Sequence, residues 1–162
     1  MKKKGFTLVE LLAVIAILAI LVIVAMPNVL GMFNQAKYNT FVTEVQSYMD
    51  SAKTAFVSEA LSAPAQTIKF SSYTLTGGKK VSMSGNKGYY IEMDRYGKYT
   101  RVVIWDTNFC YDTKQATVGA NTTNIDKSKV KADDVYVSKK SGNPTDSANT
   151  SGYCSGTKAT AQ

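Results

Sequence analysis

The sequence predicts an α+β fold in which one long N-terminal helix packs on an antiparallel β-sheet. The first observation is a helical pattern that begins in an apolar stretch and continues as an amphipathic stripe to residue 61. The second is a series of short segments rich in aromatic and β-branched residues between residues 66 and 140, separated by turn signals. A helix laid against an antiparallel sheet is an α+β architecture.

The composition excludes several classes of enzyme. The chain has 162 residues, with 19 Lys and Arg against 12 Asp and Glu, and no histidine. Without histidine, neither a Ser-His-Asp triad nor a His-ligated zinc site can be built, and two cysteines cannot supply four thiolates. The common glycine-rich nucleotide-binding motifs are also missing from the sequence. We therefore expect a protein that is not an enzyme and that holds no metal or other cofactor.

Residues 6–26 form a predicted helix that is long enough to cross a membrane. These 21 residues would extend about 31 Å, close to the ~30 Å hydrocarbon core of a bilayer. Three lysines precede them, which predicts a cytoplasmic N-terminus. A cleaved signal peptide is one alternative, although its apolar region is usually shorter. A simple anchor is the other, although it gives no role to the charge of Glu10.

Residues 4–10, Lys-Gly-Phe-Thr-Leu-Val-Glu, and the apolar helix after them resemble the processing site of type IV prepilins and pseudopilins. The resemblance covers residues 2–28 and implies that residues 1–5 are a leader peptide. A prepilin peptidase would cut between Gly5 and Phe6 and would methylate the new amino group of Phe6. Glu10 would be the fifth residue of the mature chain, and Pro27 would stand where many pilins carry a helix-interrupting proline.

Cleavage would place two opposite charges one helical turn apart. The new α-amino group of Phe6 would lie at the membrane surface, and the carboxylate of Glu10 would lie one turn deeper. In a bundle of such helices, the Glu10 of one copy can pair with the Phe6 amine of a neighbour and fix their axial stagger. The resemblance implies this assembly role for Phe6, Glu10 and Pro27. At Pro27, a kink and a melted stretch both remain open.

A second helical segment over residues 28–63 follows the membrane segment, which is assigned residues 6–27. Its apolar residues recur at steps of three and four, which predicts one face buried against the sheet. A coiled-coil partner is the alternative, but no strict heptad is sustained. The pattern stops at Leu61, shortly before Pro64, and residues 64–162 are predicted to form a globular β head with a C-terminal loop and tail. The stripe consists of Phe41, Val45, Tyr48, Ala52, Ala55 and Phe56.

Six segments of the head have the pattern of β-strands. The strongest pair flanks Asp-Arg-Tyr-Gly at residues 94–97 and predicts a hairpin. The polar stretches 113–134 and 140–162 are predicted to be a surface loop and a loose tail, mobile after Cys154. The six predicted strands are residues 68–76, which a Gly77-Gly78 turn follows, 79–83, 88–93, 98–106, 109–112 and 135–138.

Two cysteines, Cys110 and Cys154, lie 44 residues apart. The membrane segment places both outside the cytoplasm, where disulfides persist. A bridge across a loop of this length would contribute roughly 4 kcal/mol in the chain-entropy model. The spacing alone leaves two free thiols open. The resemblance implies the bridge, because many pilins close a C-terminal loop with one disulfide, and this loop completes the predicted fold.

Basic and aromatic residues alternate around the predicted hairpin. Such a pattern suits nucleic-acid binding through phosphate contacts and base stacking, but a solvated basic face with half-buried tyrosines has the same composition. Acidic residues interrupt the pattern, which favours the second interpretation, and the pair Asp133-Asp134 is too little for a calcium site. The residues are Lys79, Lys80, Lys87, Lys98, Arg95, Arg101, Tyr89, Tyr90, Tyr96 and Tyr99, with further lysines at 127, 129, 131, 139 and 140.

The predicted function is that of a structural subunit of a type IV pilus, which polymerises through its N-terminal helix for adhesion, twitching motility, aggregation or DNA uptake. The alternatives are a pseudopilin of a type II secretion or competence system and a membrane-anchored monomeric binding module. The resemblance implies as partners further copies of the chain, minor pilins, the prepilin peptidase, a membrane assembly platform and an extension ATPase. It also implies a single-pass cytoplasmic-membrane protein that later joins an extracellular filament.

Overall fold

One long helix and one β-sheet dominate the part of the chain that the computed structural model describes: residues 5–61, 67–73, 86–116, 125–139, 144 and 152–159. The helix, α1, spans Leu8–Ala60 and has 53 residues. The chain divides into two compact units, a helical unit, Met1–Lys37, and a head unit, Tyr38–Ala161. α1 ends at the residue before Leu61, as the sequence pattern predicts to within one position.

The helical unit keeps its apolar side chains exposed. Leu8–Pro27 is apolar and long enough to cross a membrane, and none of this segment is buried. Pro27 lies inside α1, and the helix continues through it. In the single chain, therefore, the backbone around this proline is helical rather than melted.

The predicted apolar stripe of α1 lies in the main core of the head unit. Its members pack in one cluster with side chains of the sheet, so the predicted burial of this face is confirmed. Met49 joins the stripe and is fully buried, although the sequence pattern did not single it out. The buried members are Phe41, Val45, Tyr48, Ala52 and Phe56, with Ala55 partly buried beside them.

Within the described residues, the sheet has six antiparallel strands, and each strand is hydrogen-bonded to the next one along the chain. Together with the packing of α1, this sheet confirms the predicted α+β fold class. The strands are β1 Ile68–Ser71, β2 Gly88–Met93, β3 Tyr99–Trp105, β4 Cys110–Asp112, β5 Tyr136–Lys139 and β6 Cys154–Lys158.

The predicted hairpin is β2 and β3. β2 has the predicted bounds, and β3 is one residue shorter at each end than predicted. The turn between them is closed by Asp94, whose Oδ1 accepts the backbone N–H groups of Tyr96 at 2.8 Å and Lys98 at 2.9 Å. Gly97 has a φ of 74°, in the left-handed region that glycine adopts without strain.

Strands β2 and β3 are buried on both faces. Tyr89 and Ile91 belong to the main core beside α1. Tyr90 and Val103 belong to a second cluster on the opposite face, which also contains both cysteines. Since most of both faces is buried, the two strands are mostly apolar rather than alternating.

The C-terminal region departs from the sequence prediction. β6 lies where a mobile tail is predicted after Cys154, so that prediction is wrong for residues 155–158. The stretch predicted as loop contains two short 3₁₀-helices, Lys127–Lys129 and Ala132–Asp134. These segments are polar and are held by contacts with distant parts of the head, which local patterns do not encode. The predicted strand 79–83 and residues 74–78 lie outside the described residues.

Candidate functional site

The N-terminal end of α1 is organised by Thr7 and Glu10. The backbone N–H and the hydroxyl of Thr7 both donate to Oε2 of Glu10, each at 2.8 Å. In return, the backbone N–H of Glu10 donates to the Thr7 hydroxyl at 3.3 Å. With Thr7 as the N-cap and Glu10 three residues later, this is a capping box, and it explains why the helix begins at Leu8.

Glu10 therefore has a local role that the sequence analysis missed. The signal was present, because Thr-x-x-Glu before an apolar run is the pattern of a capping box. Only Oε2 accepts the two bonds from Thr7, and within the described residues Oε1 has no partner. The same carboxylate can start its own helix and still offer an oxygen to a cation from outside the chain.

Gly5 and Phe6 lie directly before the helix, in backbone that is neither helix nor strand. The Phe6 side chain is 86% exposed, and a Cβ built on Gly5 would meet nothing within 4 Å. The peptide bond between these two residues is consequently open to approach from solvent. Phe6, Thr7 and Glu10 are brought together by sequence proximity, whereas Pro27 lies several turns further along α1.

Large apolar side chains of the helical unit remain exposed all around α1. Phe6, Ile23 and Met32 are each more than 70% exposed, and even the least exposed of the apolar residues named below keeps nearly half of its surface. A helix with such an apolar surface on all sides is not stable on its own in water. This unit therefore needs an apolar environment outside its own chain. The exposed residues include Leu8, Leu12, Ile15, Leu18, Val22, Val29 and Phe33.

The tyrosines of the proposed nucleic-acid patch belong mostly to the core. Tyr89, Tyr90 and Tyr99 are at least nine-tenths buried, whereas Tyr96 in the hairpin turn is exposed. Arg101 is also buried, and its Nη2 lies 3.1 Å from Oδ2 of Asp112. A stacking surface needs open aromatic faces, so the hairpin does not form one, and the interpretation as half-buried strand tyrosines is the better one.

Lys87 joins α1 to the sheet. Its Nζ lies 2.9 Å from Oε2 of Glu44 and 2.6 Å from Oδ2 of Asp106. Burial lowers the pKa of Lys87, but the two carboxylates outweigh it and raise that pKa above its ordinary value. Burial likewise raises the pKa of Asp106, but hydrogen bonds from Lys87 and from the N–H groups of Asn108 and Phe109 outweigh it and lower that pKa.

The C-terminal strand is fastened to the sheet by a disulfide. Cys110 and Cys154 are bonded, with their Cα atoms 5.5 Å apart, and both side chains are buried. The bridge closes the C-terminal loop, as the resemblance implies. It ties the start of β4 to the start of β6, although the two strands are not neighbours in the sheet.

Two side chains hold the same strand without covalent chemistry. Oδ2 of Asp112 accepts the backbone N–H of Tyr153 at 2.7 Å. The Gln115 side chain accepts from the N–H of Cys154 at 2.7 Å and donates to its carbonyl at 3.0 Å, as a neighbouring strand would. Gly152 allows this approach, because a Cβ there would lie 2.1 Å from Gln115. These contacts were not foreseen from the sequence.

Metal-binding clusters are not found among the described residues, where no three His, Cys, Asp or Glu side chains converge. Of the pair Asp133-Asp134, Asp134 is buried and its Oδ1 lies 3.4 Å from Nζ of Lys158. This carboxylate therefore contributes to the packing of β6.

Comparison with known proteins gives one match. The prokaryotic N-terminal methylation motif matches residues 1–26, which include Gly5, Phe6 and Glu10. Neither the curated proteins nor the solved structures contain a match to the chain. The match covers the predicted leader, the capping box and most of the exposed apolar helix, and it does not extend to the head.

Proposed function

We propose that this chain, which carries the N-terminal methylation motif of the type IV pilin and pseudopilin family, is a pilin that polymerises through its N-terminal helix into a surface filament. The observation that carries the proposal is the combination of an uncovered apolar helix with a single carboxylate near its start. A bilayer and then a bundle of identical helices would cover the apolar surface in turn. A monomeric anchor would need only the first.

Processing comes first in this proposal. A prepilin peptidase cuts between Gly5 and Phe6 and methylates the Phe6 amine. The exposed, non-helical backbone at these two residues supports this step, because a protease needs an extended substrate. The capping box begins at Thr7, so removal of the leader leaves the start of α1 intact.

Assembly follows from the charge at Glu10. The Phe6 amine of one subunit would pair with the Glu10 carboxylate of another inside the helix bundle, and the pair would fix their stagger. Oε1 of Glu10 supports this role, since the bonds to Thr7 engage Oε2. Pro27 would allow the helix to kink or to melt locally within the bundle. Assembly would use a membrane platform and an extension ATPase, with minor pilins as further partners.

Two substitutions separate the local and the intermolecular roles of Glu10. Glu10→Gln keeps the capping box, because glutamine can replace glutamate three residues after the N-cap, but it removes the negative charge. Thr7→Ala removes the cap, at about 1 kcal/mol of helix stability, and keeps the charge. We expect Glu10→Gln to abolish surface filaments and Thr7→Ala to retain them, as measured by microscopy and by immunoblots of sheared material. Both variants should remain in the membrane fraction.

The reverse result, with Glu10→Gln assembling as well as the unaltered chain, would contradict the charge-pair proposal. Intact mass and N-terminal sequencing of the sheared protein test the processing step. We expect a chain that starts at methylated Phe6 and is two hydrogens lighter than its dithiol form. A chain found only in membranes, with residues 1–5 still attached, would instead indicate the monomeric anchor.

A pseudopilin is the remaining alternative, because it shares the N-terminal segment. The disulfide-closed C-terminal loop of the head supports the pilin, since the resemblance associates such loops with true pilins. Adhesion, twitching motility, aggregation and DNA uptake are all compatible with a filament. Three of the four tyrosines of the hairpin are buried, which weakens the case for base stacking on DNA.

A further inference from the structure

The head unit contains a cleft of about 300 Å³ that opens to solvent. Three segments meet there: the C-terminal half of α1, the turn between β2 and β3, and the residues that lead into the first 3₁₀-helix. Its volume is at the lower end of the range for small-molecule sites and suits a single sugar ring. The polar residues that line it are Asp50, Lys53, Lys98, Tyr99, Asp126 and Lys127.

Each of the three segments contributes one lysine to the cleft. The Lys127 ammonium is held by Asp50, at 2.6 and 2.7 Å from the two carboxylate oxygens. The Lys53 ammonium donates one hydrogen bond, to the Gly97 carbonyl, and keeps further N–H groups. The exposed Lys98 side chain has no partner among the described residues, so its charge is available to a ligand.

Two carboxylates of the cleft can act as hydrogen-bond acceptors. Hydrogen bonds from Ser128 lower the pKa of Asp126, whose Oδ1 accepts the Ser128 N–H at 2.9 Å. Asp50 carries the ion pair with Lys127. Both can accept hydroxyl protons, but both would repel a multiply charged phosphate. The buried Tyr99 also borders the cleft, and its hydroxyl donates a 2.6 Å hydrogen bond to the Met49 carbonyl.

We propose that this cleft binds an acidic sugar of the hexuronate type, with the carboxylate at Lys98 and Lys53 and the ring hydroxyls at Asp50 and Asp126. Such a sugar carries one carboxylate and several hydroxyl groups on a single ring. The carboxylate suits the ammonium groups of the cleft, and the hydroxyl groups suit the carboxylates beside them. Because the cleft is open, the ring can belong to a longer polysaccharide. Binding to an isolated sugar is weak, since exposed ion pairs contribute little. The site lies in the head and does not depend on filament formation.

Saturation-transfer NMR on the full chain in detergent micelles tests the ligand class. The probes are glucuronate, glucose and acetate, which together separate the acidic sugar from its neutral and carboxylate parts. We expect a clear signal for glucuronate and weak signals for the other two, with the glucuronate signal falling as salt is raised. Equal signals for glucuronate and acetate, or no signal for glucuronate, would overturn the proposal.

Lys98→Gln and Lys129→Gln form a matched pair that tests the location. Both lysines are exposed, but Lys129 does not line the cleft. We expect Lys98→Gln to weaken glucuronate binding by up to about fivefold, the upper end for an exposed ion pair, and Lys129→Gln to leave it unchanged. The backbone bond of Lys98 to Asp94 is kept in the variant, so its thermal midpoint should not move. Equal binding by the two variants would place the ligand elsewhere and refute the assignment.

Discussion

The two halves of α1 differ in where their apolar side chains find partners. Phe33, in the helical unit, is 60% exposed, whereas Phe41, two turns later in the head unit, is 1% exposed. Both lie in the same continuous helix and make the same backbone hydrogen bonds. The difference is therefore in tertiary packing and not in helix formation.

This contrast shows which surface the chain leaves to other molecules. The head half of α1 is stabilised by its own sheet, at ~25 cal/mol for each Å² of apolar area removed from water. The helical unit gains nothing comparable within the chain, because its span is not buried. In the proposed function, a membrane and then a filament would cover this surface. We therefore expect a substitution in α1 to change the stability of the head only if it lies in the half that packs on the sheet.

Phe41→Ala is expected to produce the largest effect. Its ring packs in the main core, 5.5 Å from the ring of Phe109, and truncating a buried phenylalanine costs about 3–5 kcal/mol. The same truncation at Phe33 should change the unfolding free energy of the head by less than about 0.5 kcal/mol. Urea unfolding of the full chain in micelles measures both.

The fluorescence of Trp105 is a suitable probe for these experiments. It is the one tryptophan of the chain, and it lies in the second cluster of the head, so it reports on the head. If the two Phe→Ala variants lost equal stability, the division of α1 into a covered and an uncovered half would be wrong.

Removal of the disulfide is expected to have the next largest effect. Replacing Cys110 and Cys154 together by serine releases a 44-residue loop and should lower stability by about 2–4 kcal/mol. The helical unit should be unaffected, so the double variant should still enter the membrane fraction. A transition at the same urea concentration as for the unaltered chain would show that the bridge contributes nothing to the head.

The elements that the sequence predicted well are those set by local pattern. The stripe from Phe41 to Phe56, the hairpin and its Asp94–Gly97 turn each depend on spacings of a few residues. The apolar segment at Leu8–Pro27 is set by composition alone. The capping box at Thr7 and Glu10 has an equally local signal, but the charge of Glu10 drew attention to partners in other chains instead.

The elements that the sequence did not reveal depend on distant contacts. β6 is polar and short, and it stays in place through the disulfide, Asp112 and Gln115, which come from 39 to 44 residues earlier in the chain. The burial of Arg101 has the same cause, because its partner Asp112 lies on the next strand. No periodicity in one sequence shows which polar residues will meet in this way.

Gln115→Ala tests the noncovalent part of this fastening. It removes two hydrogen bonds to the backbone of Cys154, so we expect a loss of about 1–2 kcal/mol. Gln46→Ala is the control. It removes one exposed bond to the Lys127 carbonyl and should cost less than about 0.5 kcal/mol. Equal losses in the two variants would indicate that the side chain of Gln115 does not hold β6.

The smallest expected effect concerns acid stability. The pKa of Asp106 is lowered in the folded chain from its ordinary 3.8, so its contribution is fully present only above about pH 5. As the pH falls below that value, the unfolded chain binds the proton first, and stability declines until the folded carboxyl is protonated as well. Asp106→Asn should flatten this decline by less than about 1 kcal/mol, because the pair with Lys87 is partly exposed. Asp133→Asn, at an exposed site, should leave the decline unchanged. An equally steep decline in all three proteins would assign the acid sensitivity of the head to other carboxylates, and the link between α1 and the sheet through Lys87 would then rest on Glu44.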